Sequence, residues 1–267
     1  MPALDLRNRR ADGQSREARP AAVTEERGRL DDRLAWARLP GRQPGVVFLP
    51  GFRSDMEGSK AIALRDHCAA TGRAMLRFDY GGHGASAGRF EDGTIGQWAA
   101  DAIAVLDALT EGPQLLVGSS MGGWIALLVA RARPTRVAGL IGLAPAPDFT
   151  SALMWPAFSA AQRAEIMDKG VLHLPSQYGD PTPITRALIE DGPRHNLLDA
   201  PIPLRCPVRI LQGMRDPDVP WRHALRLVDA IQGEDVRLHL IKDGDHRLSR
   251  PEDLALLTQT LDQMPVV

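Results

Sequence analysis

The sequence predicts an α/β domain built on an open, mostly parallel sheet with helices on both faces. Two observations carry this. Short apolar runs alternate along most of the chain with segments whose apolar residues fall at helical spacing, the rhythm of repeated βαβ units. The apolar content, 44% of 267 residues, is enough to bury a substantial core in one large domain.

Residues 1–30 stand apart. Arg7, Arg9, Arg10, Arg16, Arg19, Arg27 and Arg29 recur there without apolar periodicity. Asp5, Asp12, Glu17, Glu25 and Glu26 are interleaved with them, which departs from the acid-poor composition of transit peptides. The expectation is a disordered tail over 1–30 and a single domain over 31–267.

From Arg33 the pattern is regular. Leu34–Leu39 reads as an early strand. Val46–Leu49, stopped by Pro50-Gly51, reads as a buried strand and a turn. Ser59–Thr71 reads as a helix, Ala74–Asp79 as the next strand, and Gly81-Gly82-His83-Gly84 as a glycine-rich loop. Thr94 caps a helix with Ile95, Trp98, Ala102, Val105, Leu106 and Leu109 at helical spacing. A strand at Leu115–Val117, a helix at Met121–Arg131 and a strand at Val137–Leu143 follow. The rhythm breaks over 148–200, where prolines, Trp155 and Phe158 accompany two short helices, Ala160–Lys169 and Pro183–Glu190. It resumes with a strand at Pro207–Gln212, a helix at Trp221–Ile231, a strand at Val236–Ile241 and a final helix at Pro251–Leu261. The break predicts a lid, residues 148–200, inserted over the sheet edge.

Bulk properties narrow the partners. A net charge of -1 and 5% aromatic residues give no reason to expect nucleic acid. Cys68 and Cys206 are far apart and form no CxxC pair, which argues against a disulfide scaffold or a zinc site and suits a reducing compartment. No apolar run spans a bilayer and no signal-peptide core is visible. A cytoplasmic protein is expected, without a membrane span, acting on a small-molecule or acylated-protein substrate. Composition is silent on oligomeric state.

Two segments match G-x-S-x-G: Gly118-Ser119-Ser120-Met121-Gly122 and Gly84-Ala85-Ser86-Ala87-Gly88. The nucleophile elbow that this pattern marks needs a strand directly before it and a helix directly after, so that the turn lifts the hydroxyl above the sheet. Leu115–Val117 and Gly123–Val129 supply both for Ser120. A polar loop follows Ser86, which reads as a local hydrogen-bonding residue. The Met121 N–H, at the start of a helix, is placed to bind an oxyanion. The loop after the third strand supplies the second donor in such folds, and here that donor is the Phe52 N–H.

A serine hydroxyl needs a base. In such a fold the order is serine, acid, histidine, with the histidine after the last strand. His246 lies there, and His83, which precedes Ser120, is its main rival. Asp216 and Asp218 both lie on the loop after the penultimate strand, and Asp148 is a third position for the acid. No metal or other cofactor is expected. Phe149, Trp155 and Phe158 of the lid are candidates to line a substrate pocket, as are Met154 and, for an anionic group, Arg53.

Gly118-Ser-Ser-Met-Gly122, Gly213-Met-Arg-Asp-Pro-Asp-Val-Pro220 and Gly244-Asp-His-Arg-Leu248 resemble the catalytic segments of α/β hydrolases. Leu49–Lys60, Arg77–Tyr80, Gly112–Trp124 and Ala200–Pro203 are similar to the palmitoyl-protein thioesterase and acyl-glucuronide esterase family, over about residues 45–262. The resemblance implies an α/β-hydrolase fold with a small helical lid, Asp216 as the acid, and a serine hydrolase cleaving carboxylic esters or thioesters through an acyl-enzyme. A peptidase or amidase on the same scaffold, and a ligand-binding protein with slow turnover, are the competing readings.

Overall fold

The computed structural model describes residues 24–175 and 181–265. In chain order its first part comprises β1 (Glu26–Leu30), β2 (Leu34–Leu39), β3 (Arg42–Leu49), α1 (Ser59–Thr71), β4 (Arg73–Phe78), α2 (Ile95–Leu109), β5 (Gln114–Ser119), α3 (Met121–Ala132) and β6 (Val137–Leu143). An insertion follows, with a single turn α4 (Trp155–Ala157), α5 (Ala160–Lys169), β7 (Val171–Leu174), β8 (Thr182–Thr185) and α6 (Arg186–Asp191). The chain then adds β9 (Val208–Gly213), α7 (Trp221–Ala230), β10 (Val236–Ile241) and α8 (Pro251–Asp262).

Eight strands form one sheet in the order β1-β2-β4-β3-β5-β6-β9-β10. β2 runs antiparallel to both β1 and β4, and every other pairing is parallel. The chain leaves β3 for β4 on one side and returns to the other side of β3 for β5. Connections therefore diverge at the C-terminal ends of β3 and β5, which opens a crevice there.

Both faces of the sheet are covered, so the inner strands are apolar on both sides. One core packs α2, α3 and α7 against the sheet through Trp98, Val105, Trp124, Ile125, Leu227 and Leu116. The other packs α1 and α8 against it through Leu64, Cys68, Leu257, Leu261 and Val117. α3 lies deepest, buried from Met121 to Ala130. The insertion has its own small core of Phe158, Ile166, Leu172, Ile184 and Ile189, against which Phe52 of the main domain packs.

Two expectations are corrected. The segment Glu26–Leu30, expected to lie in a disordered tail, is an edge strand paired with β2. Its three-residue turn, Asp31 to Arg33, carries Asp31 and Asp32 at φ 51° and 54° and is closed by the Arg33 N–H on the Leu30 carbonyl at 3.0 Å, one of the short connections common in hairpins. Glu25 also pairs with the buried Arg77 at 2.8 Å. The rest of the expected tail, residues 1–23, lies outside the described residues. The helix expected over Pro183–Glu190 starts only at Arg186, because Thr185 caps it by accepting the Leu188 N–H at 3.1 Å. Thr182–Thr185 pairs instead with β7.

Candidate active site

Ser120 occupies the turn between β5 and α3 at φ 53° and ψ -118°, a conformation that an L-residue holds only when its surroundings impose it. They do so here. The Ser120 N–H donates to the Leu143 carbonyl at 2.8 Å, and the Ser120 carbonyl accepts from Gly123 at 2.9 Å and Ala146 at 3.1 Å. The two glycines of the motif are steric necessities. A Cβ on Gly118 would collide with the Gly122 backbone, and one on Gly122 would collide with the Leu49 and Pro50 carbonyls. The loop after β3 therefore lies directly against the elbow. Among the described residues, neither the Phe52 nor the Met121 N–H meets a protein acceptor.

His246, between β10 and α8, reaches Ser120 Oγ through Nε2 at 3.0 Å. Its Nδ1 lies 2.8 Å from Asp216 Oδ2. The Asp216 side chain is fully buried. Its Oδ1 accepts the N–H groups of Asp218 at 2.9 Å and Val219 at 2.8 Å, and Oδ2 also accepts Gln212 Nε2 at 3.1 Å. Gln212, wholly buried at the end of β9, has no motif to announce it and was missed by sequence reasoning.

The rival residues have other partners. Asp218 is exposed and contributes its N–H to Asp216. Asp148 is buried, at φ 59°, and accepts the Leu197 and Leu198 N–H groups at 2.8 Å each. Burial raises its carboxyl above the ordinary aspartate range. Ser86 accepts from the Ala35 N–H at 2.8 Å and donates to the Asp79 carbonyl at 2.6 Å. His83 is buried and accepts the Arg53 N–H through Nε2 at 3.3 Å.

Two cavities meet at Ser120 and His246. The larger, about 740 Å³, is walled by Phe52, Phe149, Leu153, Met154, Phe158 and Val219. Phe149 and Phe158 thus stand where the sequence places a substrate pocket. Trp155 does not line it. Its half-buried ring packs on the insertion's core, edge-on to Phe158, and carries the Arg163 guanidinium at 5.4 Å. The smaller cavity, about 460 Å³, has charged residues in its wall: Arg53, Asp55, Lys60, Asp218 and Arg247. Lys60 Nζ donates to the Arg247 carbonyl, and burial pushes the amine down to about 8.

One group among the described residues has the spacing of a cation site: Asp216, Asp218 and His246, with ligand atoms within 4.8 Å of one another. Its fit to a metal is poor. His246 Nδ1 and both Asp216 oxygens are already engaged in the hydrogen bonds above. No helix among the described residues is long and apolar enough to cross a membrane.

Residues 42–187 match the family described as "Serine aminopeptidase, S33". Palmitoyl-protein thioesterase ABHD10, mitochondrial, of Mus musculus is 43% identical over 233 residues, spanning 86% of this chain and 78% of that protein. Its Homo sapiens counterpart is 40% identical over the same length, spanning 86% and 76%. Among solved structures, a hydrolase from Agrobacterium vitis S4 is 44% identical with a TM-score of 0.82, covering 91% of this chain and 98% of that one. Mouse ABHD10 superposes with a TM-score of 0.81 at 41% identity, covering 90% and 97%.

These relatives overturn the expectation of a cytoplasmic protein, because they are mitochondrial by name. Two distant free cysteines suit any reducing compartment and do not single out the cytosol. The matched family, the relatives and the fold they share make this chain a serine hydrolase, a member of the S33 family of α/β hydrolases that is similar to the ABHD10 palmitoyl-protein thioesterases.

Proposed function

We propose that the chain hydrolyses carboxylic esters and thioesters, S-acylated substrates among them, through an acyl-enzyme on Ser120. The observation that carries this reading is the unbroken hydrogen-bonded chain from Asp216 through His246 to Ser120 at the junction of two cavities, the larger walled by lid aromatics and the smaller by Lys60 and Arg247. The acyl chain lies along Phe149, Met154 and Phe158. The leaving group faces Lys60 and Arg247.

Ser120 Oγ attacks the carbonyl carbon while His246 Nε2 takes its proton. Asp216 holds Nδ1–H of the imidazole and stabilises the imidazolium that forms. The Phe52 and Met121 N–H groups bind the oxyanion, each contributing about 3 kcal/mol where such donors have been removed in other enzymes. Collapse expels the alcohol or thiol, which takes the proton from His246. Water then repeats the sequence on the acyl-enzyme, releasing the acid and free Ser120. The steps use only side chains, backbone amides and water.

The test compares wild type with Ser120→Ala, using a fluorophosphonate probe and aryl esters, thioesters and amides of increasing acyl length. Labelling and turnover by wild type alone, with thioesters and esters cleaved well ahead of amides, are expected. Labelling of the Ser120→Ala variant would reject the nucleophile. Faster cleavage of amides would reject the substrate class.

A further inference from the structure

His83 lies in the loop after β4 and is 3% exposed. Its Nε2 faces the Arg53 N–H at 3.3 Å and its Nδ1 faces the Gly81 carbonyl at 3.4 Å. A backbone N–H only donates and a carbonyl only accepts. The proton must therefore sit on Nδ1, leaving Nε2 bare as the acceptor. The Gly81 carbonyl is itself fixed by Trp98 Nε1 at 3.1 Å, and the Gly81 N–H by Asp101 Oδ2 at 2.9 Å.

The ring is held by its faces as well. It stands edge-on to Phe90 and Trp98, each at 5.0 Å, and to Tyr80 at 5.6 Å. The Phe52 ring packs on the same Phe90 at 4.9 Å and Trp98 at 5.9 Å. One aromatic box thus grips both the imidazole and the side chain of the oxyanion-loop residue. Arg53 sits at φ 54°, where a non-glycine residue needs an outside restraint. Its N–H belongs to the peptide unit that follows Phe52, so a bond to that N–H sets the orientation of the Phe52 backbone.

We propose that His83 is a positioning residue for the oxyanion hole: it pins the Phe52–Arg53 peptide so that the Phe52 N–H stays aimed at the space beside Ser120. The inference rests on the reading of Ser120 and Phe52 given above. Burial pushes the imidazole down to about 4, so the acceptor persists throughout the neutral range. The charges that act on it are Asp101, Arg53 and Asp55.

The test replaces His83 with Phe, which keeps a ring in the aromatic box and removes the acceptor, and with Gln, which can present Oε1 to the same N–H. Steady-state kinetics on a thioester are measured beside inhibition by an alkyl boronic acid, whose adduct with a serine is a tetrahedral anion. His83→Phe is expected to lower kcat about tenfold or more, less than the full loss of a donor. KM should change little, boronate affinity should fall by a similar factor, and His83→Gln should recover part of both. An unchanged kcat in a folded His83→Phe variant would overturn the inference. So would a lost kcat with unchanged boronate affinity, the mark of a merely structural role. Should His83→Phe not fold, ¹⁵N spectra of wild type at pH 7 decide, and a protonated Nε2 on His83 refutes the proposal. Turnover by Ser120→Ala would instead remove the reading beneath it. A dead Ser120→Ala beside a wild-type-like His83→Phe would remove this inference alone.

Discussion

At the scale of single residues the site is a set of hydrogen bonds with little redundancy. Asp216 is buried and receives three donors besides His246, so replacing it by Asn mispairs Nδ1 as well as removing charge. Asp216→Asn should lower kcat about 10³–10⁴-fold while the fold persists, checked by steady-state kinetics beside circular dichroism. Gln212→Leu removes one donor from the carboxylate oxygen that His246 uses. A hydrogen bond to a charged group is worth about 1.5–3 kcal/mol, so kcat should fall about ten- to a hundredfold. An unchanged kcat in this variant would show that Gln212 only fills space. That Ser120 and His246 meet at hydrogen-bond distance was legible because the elbow's crowding is written in Gly118 and Gly122 and because chain order constrains the base. The acid was not separable by position from Asp218, whose N–H instead serves Asp216. The place of Gln212 was illegible and His83 was legible only as a rival base, since the hydrogen bonds of both depend on which atoms approach them across the fold.

At the scale of elements, the inner parallel strands were plain as apolar runs, and the helices as spacing plus a cap such as Thr94, which accepts the Gln97 N–H at 3.2 Å. β1 was hidden because an edge strand carries charge on its open side, and its arginines and glutamates read as a tail. The direction of the Trp155 side chain is not legible in the sequence. Thr150–Met154 form a π-helical turn that runs on into α4, so side-chain directions there do not follow α-helical spacing. The insertion is anchored where Asp148 accepts the Leu197 and Leu198 N–H groups. Asp148→Ala leaves the buried Leu197 amide without an acceptor, at about 1–3 kcal/mol, and the half-buried Leu198 amide at less. A drop of several degrees in Tm is expected, with the elbow residues still reactive toward a fluorophosphonate. Ala157, on the wall of the larger cavity, offers a complementary change. Ala157→Trp should move the preferred acyl chain to shorter lengths, and a length profile identical to wild type would place the acyl chain elsewhere.

At the scale of the whole molecule, the sheet, its two cores and the insertion all meet at the crevice where β3 and β5 diverge, and the stability of that meeting place has a pH signature. His83 and His223 are both buried, and burial lowers both imidazoles below the ordinary histidine value, His83 to about 4. For a histidine with a depressed folded value the neutral form is the one the fold prefers. The unfolded chain then binds more protons between about pH 6.5 and pH 4, so stability must fall as pH drops through that window and level off below it. For His83 the difference corresponds to about 3 kcal/mol at most. Asp79 and Asp148, whose carboxyls burial raises, act in the opposite sense, since protonating them relieves desolvation. Their window opens at the ordinary aspartate value and extends upward from it, against the histidine window, so the comparison that isolates the imidazole is wild type against a variant in which both carboxyls are unchanged. Urea unfolding measured from about pH 7 to pH 4 makes that comparison. His83→Gln, which cannot titrate, should lose less stability than wild type as pH falls through the histidine window, by about one proton's share of the slope, with the share of His223 unchanged. An identical slope in the variant would mean that the imidazole titrates alike in the folded and unfolded states, and that the aromatic box does not shield it from water.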